Sequence, residues 1–324
     1  MKPTKIIFDT DPGVDDAMAL LFIEAAPALD LVGITTVFGN GGVETTTRNA
    51  LYLKHRFGLA APVAKGADRP LSGLEVADAG HVHGENGLGG VVIPPAIPGE
   101  LDPRPAHRFI IDTVRAHPGE ITLLAVGRMT NLALALREDP EIASLVERVV
   151  IMGGAFGFAG HSGNVTPVAE ANIAGDPQAA DEIFGAAWEV VVIGLDVTQE
   201  TLMTTAYLAA LRDEGGEAGR FIWEISRFYE AFYRDATGAE GVFGHDFSAA
   251  AYIVAPQLFA LRGGPIRVVT EGIAEGQTIQ QSELRKFAPN AWSGRPSHRI
   301  ATAVDAERSL ALFRDTIVAR YGRG

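Results

Sequence analysis

Four aspartates lie within eight residues near the amino terminus: Asp9, Asp11, Asp15 and Asp16. Two unit charges about 4 Å apart in an effective dielectric near 20 repel by roughly 4 kcal/mol, and a fold with a net stability of about 5–15 kcal/mol cannot absorb several such repulsions. We therefore expect that some of these carboxylates are protonated or that a metal ion lies among them. The alternative is that Asp11 caps a helix and the other three are solvated.

The ligand chemistry indicates which metal this would be. Carboxylate oxygens are hard ligands that favour Ca²⁺ or Mg²⁺ over zinc. The sequence contains no cysteine that could supply a softer ligand. The amino terminus therefore predicts a calcium or magnesium site.

The residues around these aspartates predict a strand, a tight turn and a helix. An apolar run that ends at residue 8 is typical of a buried strand, and a Pro-Gly pair at residues 12–13 precedes a second apolar run. Asp11 is expected to cap the helix, with Pro12 as its first residue. Asp15 and Asp16 would lie in the first turn, where the helix dipole stabilises negative charge by only about 0.3–1 kcal/mol. The dipole alone cannot offset the crowding.

The overall charge restricts the possible partners. The 324 residues include 27 basic and 40 acidic side chains, for a net charge of −13, which argues against nucleic acid or an anionic membrane and favours a small-molecule substrate. No stretch of 18 or more apolar residues occurs, and the amino terminus leads directly into a strand rather than into a signal sequence. With no cysteine for disulfides, a cytoplasmic location is the default expectation.

Short apolar runs rich in β-branched residues alternate with longer helical patterns along the chain. This alternation is typical of an α/β fold with a mainly parallel sheet. Strands are predicted at residues 6–8, 31–37, 121–126, 148–152 and 190–195. Helices are predicted at residues 14–25, 45–57, 106–116, 130–137, 177–184, 220–234 and 305–321. An open, mainly parallel sheet flanked by helices, in a single domain over residues 1–324, is the simplest interpretation.

Polar residues that follow the predicted strands indicate a binding site, because open parallel sheets bind ligands beyond the carboxyl ends of their strands. Asn40 follows the second predicted strand and Asp196 the fifth, while Asn164, Glu170 and Asn172 lie in the segment after the fourth. Amides and carboxylates of this kind suit sugar hydroxyls. The alternative is that the two asparagines of this segment make turns and Glu170 caps a helix.

A His-Asp pair occurs late in the chain, where His245 and Asp246 precede a small-residue helix predicted at residues 248–255. Asp246 either caps this helix or is a distant ligand of the metal site. In the second case His245 would be the titratable group nearest the metal carboxylates, able to donate a proton near neutrality.

Two tyrosines and a histidine are candidate ligand contacts. Tyr229 and Tyr233 lie four residues apart on a predicted helix, either in the core or stacked on a flat ring of a ligand. His83 lies in a loop at residues 81–87, which is expected to be a mobile active-site loop or a surface segment.

Taken in order, these segments resemble the inosine-uridine-preferring nucleoside hydrolases. The resemblance covers nearly the whole chain and rests on the run DTDPGVDDA at residues 9–17, Gly39-Asn40, Gly163-Asn164, Glu170 with Asn172, and His245-Asp246. It implies an open, Rossmann-like α/β fold, a bound Ca²⁺ and hydrolysis of the N-glycosidic bond of ribonucleosides to ribose and free base, in purine or pyrimidine salvage. It also implies a homodimer or homotetramer.

The resemblance further implies a role for each matching position. The Ca²⁺ ligands would be the carboxylates of Asp11, Asp16 and Asp246 and the backbone carbonyl of Val126. The sugar contacts would be Asp15, Asn40, Asn164, Glu170 and Asn172. Asp11 would also act as the base toward the attacking water, His245 as the acid toward the leaving base, and Tyr229 and Tyr233 as further substrate contacts. The position of His83 in the loop at residues 81–87 makes it a separate candidate substrate contact. Two features depart from the family pattern: Ala171 stands where an aromatic residue is usual, and the segment 156–162 is longer than usual.

Two other functions fit parts of the sequence. Haloacid-dehalogenase-like phosphatases also place an Asp-x-Asp pair after a first strand and use Mg²⁺, which Asp9 and Asp11 match superficially. That class needs a later lysine and a second acidic pair, whereas this chain has asparagine and glutamate there and a late His-Asp pair. A relative that binds nucleosides without hydrolysing them would be favoured only if Asp11 or a metal ligand were missing, and none is.

Overall fold

The structure, a computed structural model, describes residues 2–74, 79–282 and 284–322. Its strands are β1 (Thr4–Thr10), β2 (Leu29–Thr36), β3 (Val63–Lys65), β4 (Ile121–Ala125), β5 (Arg148–Met152), β6 (Val190–Ile193), β7 (Leu202–Thr204), β8 (Gly241–Phe243), β9 (Phe259–Gly264), β10 (Ile266–Val268), β11 (Thr278–Gln280) and β12 (His298–Val304). Its helices are α1 (Val14–Ala25), α2 (Val43–Phe57), α3 (Gly80–His83), α4 (Ala106–Ala116), α5 (Thr130–Glu138), α6 (Ala171–Gly175), α7 (Pro177–Ile183), α8 (Leu195–Thr198), α9 (Thr205–Glu214), α10 (Gly216–Thr237), α11 (His245–Val254) and α12 (Ala306–Tyr321).

One sheet of eight strands organises these elements, in the order β3-β2-β1-β4-β5-β6-β12-β9. Its neighbouring strands run parallel, except that β9 pairs antiparallel with β12. From β1 the chain moves outward to β2 and β3, and it then returns to add β4 on the other side of β1. The crevice between β1 and β4 is therefore a topological switch point, where sheets of this class bind ligands. The predicted fold class is confirmed.

Helices cover both faces of the sheet. Alternate residues of a strand point to opposite faces, and because the residues on both faces are apolar, both must be covered. Ile6 and Phe8 of β1 belong to the apolar cluster on one face, and Ile7 belongs to the cluster on the other. On the first face, Phe247 of α11 packs against Phe22 of α1, with ring centroids 4.9 Å apart. Because Phe247 directly follows Asp246, this contact holds the late His-Asp segment against the helix that carries Asp15 and Asp16.

The start of α1 differs from the prediction. The helix begins at Val14 and is preceded by Gly13, so Asp11 and Pro12 lie before it. The predicted capping role of Asp11 is therefore wrong. Gly13 is the N-cap, and Asp16, the third residue of the helix, caps it from within because its Oδ2 accepts a hydrogen bond of 2.9 Å from the Gly13 N–H.

Several elements were not predicted from the sequence. The strand β3 has only three residues, and β12 mixes polar with apolar residues rather than forming a continuous apolar run. The helix α11 begins at His245, three residues before the predicted start, so the His-Asp pair lies within its first turn. No helix in the described part of the chain is long and apolar enough to cross a membrane.

A glycine in β2 tests the packing of this sheet against α4. A Cβ atom on Gly33 would lie 2.3 Å from Cε1 of Phe109, which is 2% exposed. We expect Gly33→Ala to lower the free energy of unfolding by about 1–3 kcal/mol, because the added methyl overfills a packed site. Urea unfolding would measure this change in the single variant, in Phe109→Leu and in the double variant. Since the smaller side chain relieves the overlap, the double variant should lose less than the sum of the two losses; additive losses would contradict the contact.

Candidate active site

Carboxylates from the two ends of the chain converge at the switch point. Asp11 follows β1, Asp15 and Asp16 lie in the first turn of α1, and Asp246 lies in the first turn of α11. All four side chains are buried. Carboxylate oxygens of Asp15, Asp16 and Asp246 lie within 4.8 Å of one another. The structure thus brings together side chains that are 230 positions apart in the sequence.

Asp16 is held by hydrogen bonds from all sides. Its Oδ1 accepts from the Thr10 hydroxyl at 2.5 Å and from the Asp11 N–H at 3.2 Å. Its Oδ2 accepts from the Asn40 side-chain amide at 2.9 Å, in addition to the Gly13 N–H. The turn before α1 requires glycine, because a Cβ on Gly13 would lie 2.6 Å from the Asn40 amide nitrogen. The carboxylate of Asp16 is therefore fixed in place by its protein partners.

Asp11 and Asp15 each have one oxygen without such a partner. The Oδ2 of Asp11 accepts from the Asn40 N–H at 2.8 Å, and the Oδ2 of Asp15 accepts from the Tyr229 hydroxyl at 3.3 Å. Among the described residues, neither Asp11 Oδ1 nor Asp15 Oδ1 has a hydrogen-bond donor, although both atoms are buried. Buried carboxylate oxygens are costly without a donor or a cation. These two atoms are consequently available to a ligand.

The electrostatics of the cluster favour bound positive charge. Burial, together with repulsion from Asp16, raises the pKa of Asp15 to about 8. Burial and neighbouring carboxylates also raise the pKa of Asp11 and of Asp246 well above the ordinary value. Arg128 opposes this effect on Asp11, but its guanidinium carries only one charge.

A hard divalent cation fits this set of donors. Asp15, Asp16 and Asp246 offer carboxylate oxygens within reach of one ion, and the described group contains no thiol or imidazole ligand. The grouping differs from the one that the resemblance implied, since it includes Asp15, which was expected to contact the sugar. Asp11 adjoins the group through its hydrogen bond to Asp16 and its free oxygen.

The backbone carbonyl of Val126 lies at the same edge of the sheet, directly after β4. It accepts a hydrogen bond of 2.6 Å from the side-chain amide of Asn172, which also donates to the Met152 carbonyl at 3.2 Å. Asn172 therefore joins the ends of β4 and β5. The predicted sugar contact and the predicted carbonyl ligand are adjacent in space.

Glu170 and Asn164 make the local contacts that the alternative interpretation expected. Glu170 caps α6 by accepting from the Asn172 and Ile173 N–H groups at 2.9 and 3.1 Å, and it also accepts from the Gly154 N–H at 2.9 Å. Asn164 is exposed, and its side-chain oxygen accepts from the Ala171 N–H at 3.0 Å. Both side chains thus frame the first turn of α6, beside Asn172.

His245 lies in a chain of hydrogen-bonded side chains that ends at the carboxylates. Its Nδ1 is 2.7 Å from the Thr198 hydroxyl and its Nε2 is 2.8 Å from the Tyr233 hydroxyl. The hydroxyls of Tyr233 and Tyr229 are 3.0 Å apart, and Tyr229 contacts Asp15. Burial lowers the pKa of His245 to about 4. The imidazole is therefore neutral near pH 7, whereas the sequence predicted a group able to donate a proton near neutrality.

His83 lies inside the site and not on the surface. Its ring stacks on Tyr229 with centroids 4.9 Å apart, and its Nδ1 accepts from the Val14 N–H at 3.2 Å. Burial lowers the pKa of His83 to about 3. Together with Tyr229 and Tyr233 it forms an aromatic wall next to the carboxylates, suited to a flat ring.

Three contributing residues were not identified from the sequence. Thr198 has no signal beyond its place in a short helix after β6. Thr10 lies between Asp9 and Asp11, and the sequence indicated a role only for the aspartates. Arg128 stacks on Phe38 with its guanidinium 4.5 Å from the ring centroid. The feature of the sequence that could have indicated Arg128 is its position as a basic residue just after a buried strand.

Known proteins are similar to this chain over nearly its whole length. The model of the family "Inosine-uridine preferring nucleoside hydrolase" matches residues 6–311. A probable uridine nucleosidase of Oryza sativa subsp. japonica is 39% identical over 317 residues, 97% of each chain. An inosine-uridine preferring nucleoside hydrolase of Crithidia fasciculata is 36% identical over 321 residues, covering 97% of this chain and 98% of that one.

A solved structure of a plant nucleoside hydrolase superimposes with a TM-score of 0.94 at 36% identity, covering 98% of this chain and 99% of that one. The similarity thus extends over nearly the full length in both sequence and fold. The chain belongs to the inosine-uridine preferring nucleoside hydrolase family and is a nucleoside N-ribohydrolase.

Proposed function

We propose that this enzyme hydrolyses both purine and pyrimidine ribonucleosides with the help of a Ca²⁺ ion held by Asp11, Asp16, Asp246 and the Val126 carbonyl. The observation that carries the proposal is the buried group of carboxylates at the switch point, where Asp11 and Asp15 each keep an oxygen with no donor in the part of the chain that the structure describes. Asp15 lies close enough to contact the ion or the sugar hydroxyls. Such an ion would supply a fixed positive charge that orients vicinal hydroxyls and lowers the pKa of water.

The carboxylates also suit the charge that develops in the reaction. Cleavage of an N-glycosidic bond builds positive charge on the ribose ring as the bonding electrons leave with the base. A site with several fixed negative groups stabilises that cationic ring. Asp11 is proposed to accept the proton of the attacking water. In support, its Oδ1 has no hydrogen-bond donor among the described residues, and its Oδ2 is anchored by the Asn40 N–H.

The sugar and the base would occupy opposite sides of the carboxylates. Asn40, Asn164, Glu170 and Asn172, with Asp15, are proposed to bind the ribose. His245, which is neutral in the free enzyme, is proposed to take up a proton when substrate binds and to deliver it to the departing base, a contribution of about 10² to 10⁴ in rate. The aromatic wall of His83, Tyr229 and Tyr233 would contact the base, and stacking on a ring tolerates both purines and pyrimidines.

The breadth of this proposal draws on the relatives, one named for uridine and another for inosine and uridine. We further propose that the enzyme acts in nucleoside salvage in the cytoplasm as a homodimer or homotetramer. Neither the phosphatase alternative nor a non-catalytic binding protein is needed to explain a family match over residues 6–311.

Removal of calcium should destabilise the protein in a pH-dependent manner. The raised carboxyl pKa values mean that the folded, metal-free protein holds protons that the unfolded chain releases near its ordinary pKa of 3.8. Its stability should therefore fall as the pH rises from 3.8 toward about 8, the pKa of Asp15, by about 1.4 kcal/mol per pH unit for each extra proton. Thermal unfolding with and without calcium at pH 5.5 and pH 8 measures this, and the gain from calcium should be larger at pH 8.

Asp246→Asn is the matched variant for that experiment. It removes one negative charge, so the metal-free variant should be at least as stable as wild type at pH 8 while losing most of the response to calcium. A wild-type protein whose melting temperature ignores calcium at pH 8 would refute the proposed metal site.

Asp11→Asn should abolish most of the hydrolysis. The amide keeps the volume but cannot take the proton of water, so we expect kcat/KM for inosine and uridine to fall by about 10² to 10⁴. Released ribose is the readout, and the exposed Asp68→Asn is the control that should keep full activity. Wild-type levels of ribose from the Asp11 variant would exclude the base role, and phosphate release from phosphomonoesters would support the phosphatase alternative.

His245→Ala should affect substrates according to their leaving groups. Inosine needs protonation of its base, and we expect its hydrolysis to slow by about 10² to 10⁴. A riboside with a nitrophenolate leaving group needs no acid and should slow by much less. Steady-state rates on the two substrates make the comparison, and equal losses would remove His245 from the acid role.

A further inference from the structure

The loop that follows β5, here called the β5 loop and comprising residues 153–164, connects the sheet to the proposed ribose-binding side chains. At its start, the Gly154 N–H donates to Glu170 at 2.9 Å. At its end, Asn164 accepts from the Ala171 N–H at 3.0 Å. Both ends of the loop therefore meet the first turn of α6, which also carries Asn172. The position of the loop consequently affects three proposed sugar contacts at once.

The backbone of this loop adopts unusual conformations. Gly157 and Gly160 have φ angles of 86° and 82°, and Ala159, between them, has a φ of 54°. A non-glycine residue in the left-handed region costs free energy and persists where surrounding contacts fix it. The loop therefore needs anchors outside its own sequence.

The main anchor is Asp196, which lies in the four-residue helix α8 directly after β6. Its side chain is fully buried. The Phe156 N–H donates to Oδ2 of this carboxylate at 2.9 Å, and the Phe158 N–H donates to Oδ1 at 2.6 Å. Charge-assisted bonds of this kind are roughly twice as strong as neutral ones.

Two further contacts support the loop. The Thr278 hydroxyl accepts from the Ala155 N–H at 3.0 Å and donates to the Ala155 carbonyl at 2.9 Å. His161 and Glu200 approach within 2.5 Å at the exposed side. Asp196 differs from these anchors because it binds both neighbours of the left-handed Gly157, and the second of them, Phe158, directly precedes Ala159.

The helix α8 also contacts the opposite side of the site. Thr198, two residues after Asp196, makes the hydrogen bond to His245. Glycine precedes the helix, since a Cβ on Gly194 would lie 2.8 Å from the Gly154 carbonyl and 3.0 Å from Asp196 Oδ2. This one turn of helix therefore packs against the β5 loop on one side and the proposed acid on the other.

We infer that Asp196 is a positioning residue for ribose binding, which acts by holding the backbone of residues 156–158 so that Asn164, Glu170 and Asn172 keep their places. The inference rests on the proposed sugar-binding roles of those three residues. Among the described residues, Asp196 makes its side-chain hydrogen bonds to the β5 loop and none to the carboxylate group or to His245. Its removal should therefore weaken binding of every ribonucleoside, whatever the leaving group.

The test compares Asp196→Ala and Asp196→Asn with Glu189→Gln. Glu189 is an acidic residue directly before β6, at the opposite end of that strand from Asp196. We expect Asp196→Ala to raise KM about tenfold or more, the equivalent of one lost hydrogen bond, with kcat changed by much less. The factor should be the same for inosine and for the nitrophenyl riboside, unlike the loss expected for a missing acid. Asp196→Asn keeps the volume and one acceptor oxygen, so its KM should be intermediate; Glu189→Gln should match wild type.

Hydrogen–deuterium exchange distinguishes positioning from a general loss of structure. Amides of residues 155–164 should exchange faster in Asp196→Ala, while those of β1 and α1 keep their protection. Faster loop exchange with an unchanged KM would overturn the inference, as would a loss confined to kcat or one that depends on the leaving group. If Asp196→Ala does not fold, the Asn variant decides by the same measures. An inactive wild-type enzyme would instead overturn the proposed function, and the exchange data would still show whether Asp196 holds the loop.

Discussion

Mutual repulsion between buried carboxylates is the constraint on which the rest of this structure depends. Asp15, Asp16 and Asp246 lie within 4.8 Å of one another with almost no access to water. The starts of α1 and α11, the glycine turn before α1 and the Asn40 side-chain amide hold them there. Such an arrangement is stable only with bound protons or a bound cation, and either choice ties the folding of the chain to the chemistry of its site.

The sheet topology explains why these particular positions meet. The switch point between β1 and β4 leaves a crevice that the turn before α1 and the start of α11 both border. Small residues allow the backbone to approach the carboxylates, since a Cβ on Gly39 would lie 1.8 Å from Asp11 Oδ2 and one on Gly127 would lie 2.7 Å from Asp11 Oδ1. The aromatic packing of Phe22 against Phe247 buries apolar surface, and this burial helps to hold α11 against α1 beside the carboxylates.

Much of this organisation could be read from the sequence, and the failures have physical causes. The helix at Ala106–Ala116 and the strand at Arg148–Met152 were predicted to the residue. The first is an 11-residue segment with helical periodicity, and the second is a 5-residue run that is rich in β-branched residues and too short for a typical helix. The capping of α1 was misassigned, since several aspartates compete for one helix start and only the backbone path decides among them. The burial of His83 and the anchoring of the β5 loop by Asp196 depend on contacts between distant segments, which local patterns do not encode.

The row of hydroxyls between Asp15 and Thr198 sets a direction for hydrogen bonding across the whole site. A phenol has one proton to give, so when Tyr229 donates to an ionised Asp15, its oxygen must accept from Tyr233. The oxygen of Tyr233 then accepts from Nε2–H of His245, which leaves Nδ1 to accept from Thr198. Ionisation of one carboxylate beside the sugar thereby selects the imidazole tautomer beside the base, across four successive hydrogen bonds and without any movement of the backbone.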